Sequence, residues 1–153
     1  MKAIIQRVSC ARVTVEEKIT GEIGKGFLIL LGVGENDGEA QARLLAGKTA
    51  NLRIFTDEND KMNLSLLQVE GGALVVSNFT LCADTKKGNR PSFTGAMEPI
   101  MADRLYRLFC EELMKIGVKK VQTGEFGAEM QVSMVGEGPV TITLDTDIWE
   151  KKQ

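Results

Sequence analysis

No histidine occurs among the 153 residues of the chain. That absence removes Ser-His-Asp and Cys-His nucleophile arrangements, His-based acid–base pairs and nearly all catalytic zinc sites. Proton transfers must use carboxylates, hydroxyls, backbone groups, water or the substrate. Cysteine is scarce: Cys10, Cys82 and Cys110 are odd in number, far apart and form no CxxC pair. Neither a disulfide scaffold nor a Cys-rich metal site is expected, and a reducing cytoplasm is the default. Cys10 and Cys110 read as small buried residues. Excess positive charge is missing too, with 19 basic against 21 acidic residues and a formal charge of −2. That balance disfavours a broad footprint on RNA or DNA, yet permits a local grip on one end of a nucleic acid. The longest apolar run, Phe27 to Leu31, is far below the ~20 residues of a membrane span. The N-terminal run breaks at Gln6-Arg7, too early for a signal peptide. The expectation is a soluble cytoplasmic protein with no membrane partner.

What is present is an ordinary globular composition, 43% hydrophobic and 26% charged. One domain over residues 1–148 is expected, with a short tail at 149–153. Lys2 to Val8 reads as a first strand, and Ala11–Glu16 and Ile19–Ile23 as a hairpin turning at Glu17-Lys18. Gly24-Lys25-Gly26 marks a further turn. Phe27–Leu31 and Ala73–Ser77 are uniformly apolar, which suits strands covered on both faces. Asn36 and Glu39 form a capping-box-like pair before a helix over Ala40–Leu52, although Lys48 falls within its apolar face. Pro99 opens a second helix whose Ala102, Leu105, Tyr106, Phe109, Leu113 and Ile116 recur at three-to-four spacing until Gly117. Val140, Ile142 and Leu144 alternate with polar residues as a half-exposed strand. A mixed sheet layered with two principal helices, an α/β domain, is the expected architecture.

Three local signals suggest chemistry at first sight. Gly32-Val-Gly34 lies where a dinucleotide loop would, but Asp37 occupies the third glycine position and would repel a pyrophosphate; a strand-to-helix turn is the better reading. Asp57-Glu-Asn59-Asp60-Lys61 resembles a calcium loop but puts Lys61 at a ligand position and Met62 where glycine is needed, so a polar turn is expected. Lys86-Lys87-Gly88-Asn89-Arg90 is the one compact basic stretch. It reads equally as a solvated loop or as a phosphate contact.

Two further segments have no packing explanation. Ser77-Asn78-Phe79-Thr80-Leu81 brings two hydroxyls, an amide and an aromatic ring off the end of a buried strand. Gly136-Glu137-Gly138-Pro139-Val140-Thr141 enters the last strand through a Gly-Pro bond, where a cis peptide costs only about 0.5–1 kcal/mol against trans. Together these segments resemble the D-aminoacyl-tRNA deacylase family, whose pattern is Ser-Gln-x-Thr-Leu in mid-chain and Asn-x-Gly-Pro-Val-Thr near the C-terminus. Ile5-Gln-Arg7-Val8, Arg53-Ile-Phe55, Lys61-Met-Asn63, Ala83-Asp84-Thr85, Arg90-Pro-Ser-Phe93 and Gln122-Thr-Gly124 through Met130-Gln-Val132 extend the likeness over nearly the whole chain. Asn78 stands where the pattern has glutamine, and Gly136 where it has asparagine.

The resemblance implies hydrolysis of the ester between a D-amino acid, or mischarged glycine, and the tRNA 3′ end. It implies a compact α-β homodimer in which a Gly-cis-Pro pair of one subunit enters the other's pocket. Gly138 and Pro139 would then face the substrate's α-carbon with main-chain carbonyls and reject L side chains. Arg7 would support that motif. Ser77 and Thr80 are the candidate catalytic residues; Asn78, Phe79 and Met130 would bind substrate alongside Gly138 and Pro139. Backbone N–H groups would hold the carbonyl oxygen, and the ribose 2′-hydroxyl would help activate water. No metal or cofactor and no DNA partner is implied. A non-catalytic dimeric RNA-end or protein-binding module on the same scaffold is the alternative.

Overall fold

In the computed structural model, residues 1–150 are described. The chain runs β1 (Lys2–Val15), β2 (Lys18–Ile23), β3 (Gly26–Gly32), α1 (Glu39–Asn51), β4 (Phe55–Thr56), β5 (Met62–Leu64), β6 (Gly72–Ser77), a 3-10 turn at Phe79–Cys82, α2 (Pro99–Ile116), β7 (Val121–Thr123) and β8 (Gln131–Asp145). The main sheet has the order β2-β1-β3-β6-β7, with β8 paired to the other edge of β1. β3, β6 and β7 are mutually parallel, while β1 is antiparallel to β2, β3 and β8. This is the α/β domain with a mixed sheet and two helices that the residue pattern implied.

The expected first strand and first hairpin arm are one continuous strand, β1. Its N-terminal half pairs with β3 (Ile5 with Ile29) and its C-terminal half with β2 (Ala11 with Ile23). A register irregularity against β8 between Val8 and Cys10 inserts Ser9 as an extra residue. Side chains alternate along a strand, so one inserted residue exchanges the faces. Ala3 and Ile5 face the helices, whereas Val8, Ala11 and Val13 join a second core with Ile23, Leu28, Leu74 and Val76. The same irregularity leaves Cys10 exposed, contrary to expectation, while Cys110 is buried. β2 curls toward β7, where a Cβ on Gly21 would collide with the Thr123 carbonyl. Two cores, one under the helices and one inside the curl, explain why β3 and β6 are apolar on both faces. Phe27, Ile29 and Leu31 serve the first core and Leu28 the second.

α2 begins and ends where its sequence indicated. Glu98 caps it by accepting from the Ile100 and Met101 N–H groups, and Gly117 closes it at φ 131°. Its buried stripe of Ala102, Leu105, Tyr106, Phe109, Cys110 and Leu113 faces α1 and the sheet. Tyr106 donates its hydroxyl to the Val75 carbonyl at 2.7 Å, and burial pushes its ionisation well above the usual phenol range.

α1 departs from expectation at its start. The Asn36–Glu39 box does not form; the Gln41 side chain accepts from the Gly38 N–H at 2.8 Å, and Glu39 pairs with Arg43 and Arg104. Lys48 is outside the buried face, its Nζ 5.3 Å above the Trp149 ring. Thr49 takes the inward position and satisfies its hydroxyl on the Leu45 carbonyl. Trp149, the first residue of the expected tail, packs against the core; residues 151–153 of that tail lie outside the described residues. The first hairpin turns at Glu16-Glu17, both at positive φ, so Lys18 already belongs to β2. Two consecutive residues of positive φ match the right-handed twist of a two-residue hairpin.

Candidate active site

β3, β6 and β7 end on the same side of the sheet, the side where open α/β sheets hold ligands. A cavity of about 440 Å³ opens there. Ser77, Asn78 and Phe79 form one wall as the chain leaves β6; Val33 follows β3. Ala96, Met97, Pro99 and Ala102, at the start of α2, form the second wall. Phe126 to Ala128 and Met130, between β7 and β8, close the third. None of these residues ionises. The site thus offers shape, apolar surface and neutral polar groups, and no side-chain acid or base.

The Ser77–Leu81 segment is held from β3: the Asn78 N–H donates to the Leu31 carbonyl at 2.8 Å. The chain then tightens into the 3-10 turn, with Leu81 and Ala83 N–H groups returning to the Asn78 and Thr80 carbonyls. The N–H groups of Phe79 and Thr80 head that turn, so its geometry supplies them no intrahelical acceptor. Phe79 is 58% exposed and meets the Phe93 ring edge-on at 5.2 Å between centroids. Thr80 is exposed, does not line the cavity, and donates its hydroxyl to Asn78 Oδ1. An amide oxygen accepts that hydrogen bond but cannot take the proton, which leaves Thr80 without a base.

The Gly138-Pro139 segment lies elsewhere. β8 is one long strand, not the short terminal one expected, and the Gly-Pro turn is a bulge within it. Gln6 pairs with Thr141 and Val8 with Gly136. Residues 137–140 therefore stand opposite Arg7 alone and are extruded from the ladder. The Gly138-Pro139 peptide is cis and Gly138 has φ 129°. A Cβ on Gly138 would sit 2.8 Å from both the Val140 nitrogen and its Cγ2, so only glycine fits. Arg7 holds the bulge from beneath. Its Nε donates to the Glu137 carbonyl at 3.1 Å, and its Nη1 to the Ile54 carbonyl at 2.8 Å and to Thr56 Oγ1 at 3.4 Å. One guanidinium thus ties the bulge to the segment leading through β4.

Within one chain, Ser77, Asn78, Phe79 and Met130 share the cavity, whereas Arg7, Gly138 and Pro139 do not reach its lining. The start of α2 and the Phe126–Ala128 loop complete the cavity without having been named as site residues from the sequence. Their signals, a helix-opening proline and an aromatic beside glycine, are equally the marks of ordinary turns.

The remaining signals are structural. Asp37 accepts from the Gly34 N–H at 2.6 Å and pairs with the Met1 amino group at 2.7 Å, which also donates to Thr146. Asp57 is a turn-former: the Lys61 and Asn59 N–H groups and the Asn63 amide hold its carboxyl below the usual range. Burial pushes the Cys82 thiol up, and the Cys110 thiol up to about 12, so neither supplies a thiolate near neutral pH. No group of three metal-ligating side chains occurs among the described residues, and no helix there is long and apolar enough to cross a membrane.

Fold and site thus define an α/β protein with a neutral, largely apolar ligand cavity at its parallel strand ends and a separate Gly-cis-Pro bulge. Residues 4–145 match the family model described as D-Tyr-tRNA(Tyr) deacylase. A D-aminoacyl-tRNA deacylase of Roseiflexus sp. (strain RS-1) is 56% identical over 151 residues, covering 99% of this chain and 97% of that one. One from Lacticaseibacillus casei (strain BL23) is 52% identical, covering 96% and 99%. A solved structure described as a c-Myc DNA unwinding element binding protein superposes with TM-score 0.89 at 39% identity, covering 95% of this chain and 98% of that one. A probable eukaryotic D-amino acid tRNA deacylase, at 17% identity and TM-score 0.78, shares the fold. The chain belongs to the D-Tyr-tRNA(Tyr) deacylase family.

Proposed function

We propose that this protein hydrolyses the ester joining a D-amino acid to the 3′ end of tRNA, accepts glycine, and rejects L-amino acids with the Gly138-Pro139 bulge of a second copy. The observation that carries the two-copy form is the separation of cavity and bulge within one chain. Among the described residues β8 is an edge strand paired only to β1, and it exposes Val132, Met134 and Val135 beside the bulge. An unpaired edge with apolar side chains favours a partner of the same kind.

In that assembly the aminoacyl ester enters the cavity beside Ser77 and Asn78, with Phe79 and Met130 against the terminal adenosine. The Phe79 and Thr80 N–H groups receive the carbonyl oxygen as it gains charge. The ribose 2′-hydroxyl next to the ester assists the attacking water, which suits a cavity without ionisable side chains. Main-chain carbonyls at the bulge leave room for a hydrogen or a D side chain and clash with an L side chain. Such selection needs a fixed bulge, and the Arg7 hydrogen bonds to the Glu137 and Ile54 carbonyls supply the anchor.

The deciding experiment incubates the protein with D-tyrosyl-, L-tyrosyl- and glycyl-tRNA and follows ester loss. Loss from the D and glycyl forms with the L form intact is expected. Equal hydrolysis of D and L forms refutes the chirality reading. A second reading, nucleic-acid binding without catalysis, draws on the 39%-identical structure of a DNA unwinding element binding protein; binding of tRNA with no ester loss from any form favours it.

A further inference from the structure

We propose that the loop carrying Lys86, Lys87 and Arg90 is the phosphate grip that leads single-stranded RNA into the cavity, an inference that rests on the deacylase reading. The cavity lining has no ionisable residue and the whole chain is net acidic. A polyanionic substrate therefore needs a local cluster of cations near the cavity mouth.

The loop meets that need in three ways. Its base is fixed: Asp84 and Ser92 exchange main-chain hydrogen bonds at 2.7 and 2.9 Å. Its cations are available, since Lys86, Lys87 and Arg90 are exposed and pair with no carboxylate among the described residues. The nearest acid in sequence, Asp84, is committed to the Lys86 N–H at 3.0 Å. Its position is set by aromatic contact: Phe93 leaves the loop and packs edge-on against Phe79, which lines the cavity. Arg90 lies three residues from Phe93, at most about 11 Å along the backbone. That reach suits the phosphates just upstream of the aminoacylated nucleotide. Gly88, at φ 62° with open space around it, lets the tip turn with both lysines outward.

The test compares wild type with a K86Q/K87Q/R90Q variant. Binding of uncharged tRNA is followed by fluorescence anisotropy across salt concentration, with tRNA trimmed of its single-stranded 3′ end as control. Hydrolysis of D-tyrosyl-tRNA and of D-tyrosyl-adenosine is measured in parallel. Each lost contact to single-stranded phosphate lowers the log–log salt slope by about 0.7. The variant should therefore flatten that slope by about 2 and weaken tRNA binding at least tenfold at low salt. Binding of trimmed tRNA and hydrolysis of D-tyrosyl-adenosine should stay within twofold. Unchanged tRNA binding, an equal loss on trimmed tRNA, or an equal loss on D-tyrosyl-adenosine each overturns the proposal. If wild type hydrolyses neither ester, the deacylase reading fails, while the anisotropy comparison still decides the loop.

Discussion

Replacing Arg7 with methionine keeps the aliphatic stem and removes three hydrogen bonds. The bond to Thr56 at 3.4 Å is too long to carry much. The two to the Glu137 and Ile54 carbonyls, at 3.1 and 2.8 Å, are charge-assisted. Hydrogen bonds to charged groups contribute roughly 1.5–3 kcal/mol each, with the exposed Glu137 contact toward the lower value. The Ile54 bond stabilises the approach to β4, so its loss shows in global unfolding at about 2 kcal/mol. The Glu137 bond acts differently, because residues 137–140 are outside the ladder and the Arg7 side chain holds them to β1. Losing about 1.5 kcal/mol there shifts the bulge between ordered and disordered forms by about 10-fold. If rigid carbonyls at Gly138-Pro139 reject L substrates, the ratio of D-tyrosyl- to L-tyrosyl-tRNA hydrolysis falls by up to that factor. Arg7→Lys should fall nearly as far, since one ammonium cannot serve both carbonyls from the same direction. The assay is deacylation of both tRNAs by protein whose folding is verified by urea unfolding. A folded variant with an unchanged D-to-L ratio would refute the reasoning.

Gly138→Ala should cost roughly 1–3 kcal/mol in backbone strain, about 2–10 °C in Tm, and lower the D-to-L ratio, both read on the same purified protein. Thr80→Ala should retain appreciable hydrolysis of D-tyrosyl-tRNA, because its hydroxyl has only an amide oxygen as partner; total loss in folded protein would support a covalent path through threonine. A chelator should leave the rate unchanged, and inhibition reversed by added metal would contradict the metal-free mechanism. For Cys110, the buried thiol's pKa is raised from 9.0 to about 12. The folded state then binds its proton more tightly than the unfolded state. The associated stability is full below pH 9 and lost as pH rises from 9 toward 12, on the order of a few kcal/mol across that window. Cys110→Ala should flatten the fall in urea midpoint between pH 8.5 and 11; an unchanged slope would count against burial as its cause.

Much of the fold was legible because period and capping are local properties. α2 could be bounded from Pro99, its apolar stripe and Gly117, since each acts within a few residues. The apolar runs of β3 and β6 announced strands covered twice. Errors fell where a partner far along the chain decides. Cys10 is exposed because a mismatch with β8, over a hundred residues away, exchanges the faces of β1. Lys48 is displaced outward over Trp149, and Gln41 replaces Glu39 at the helix start. The site was legible in its motifs and not in its outline: nothing local marks Ala96–Ala102 and Phe126–Ala128 as walls of one cavity.

By itself, the sequence determined what chemistry was available: a chain without histidine, with no cysteine pair and no cationic excess, must work through carboxylates, hydroxyls, backbone, water and substrate. It also carried the two motifs on which the resemblance to the family rests. Only the tertiary structure decided where those motifs go. β-Ladder register is a relation between distant segments, and the register of β8 on β1 extrudes residues 137–140 over Arg7, away from the cavity that Ser77 and Asn78 line. Cavity and bulge are consequently separate features of one chain, and the proposed mechanism depends on a second copy.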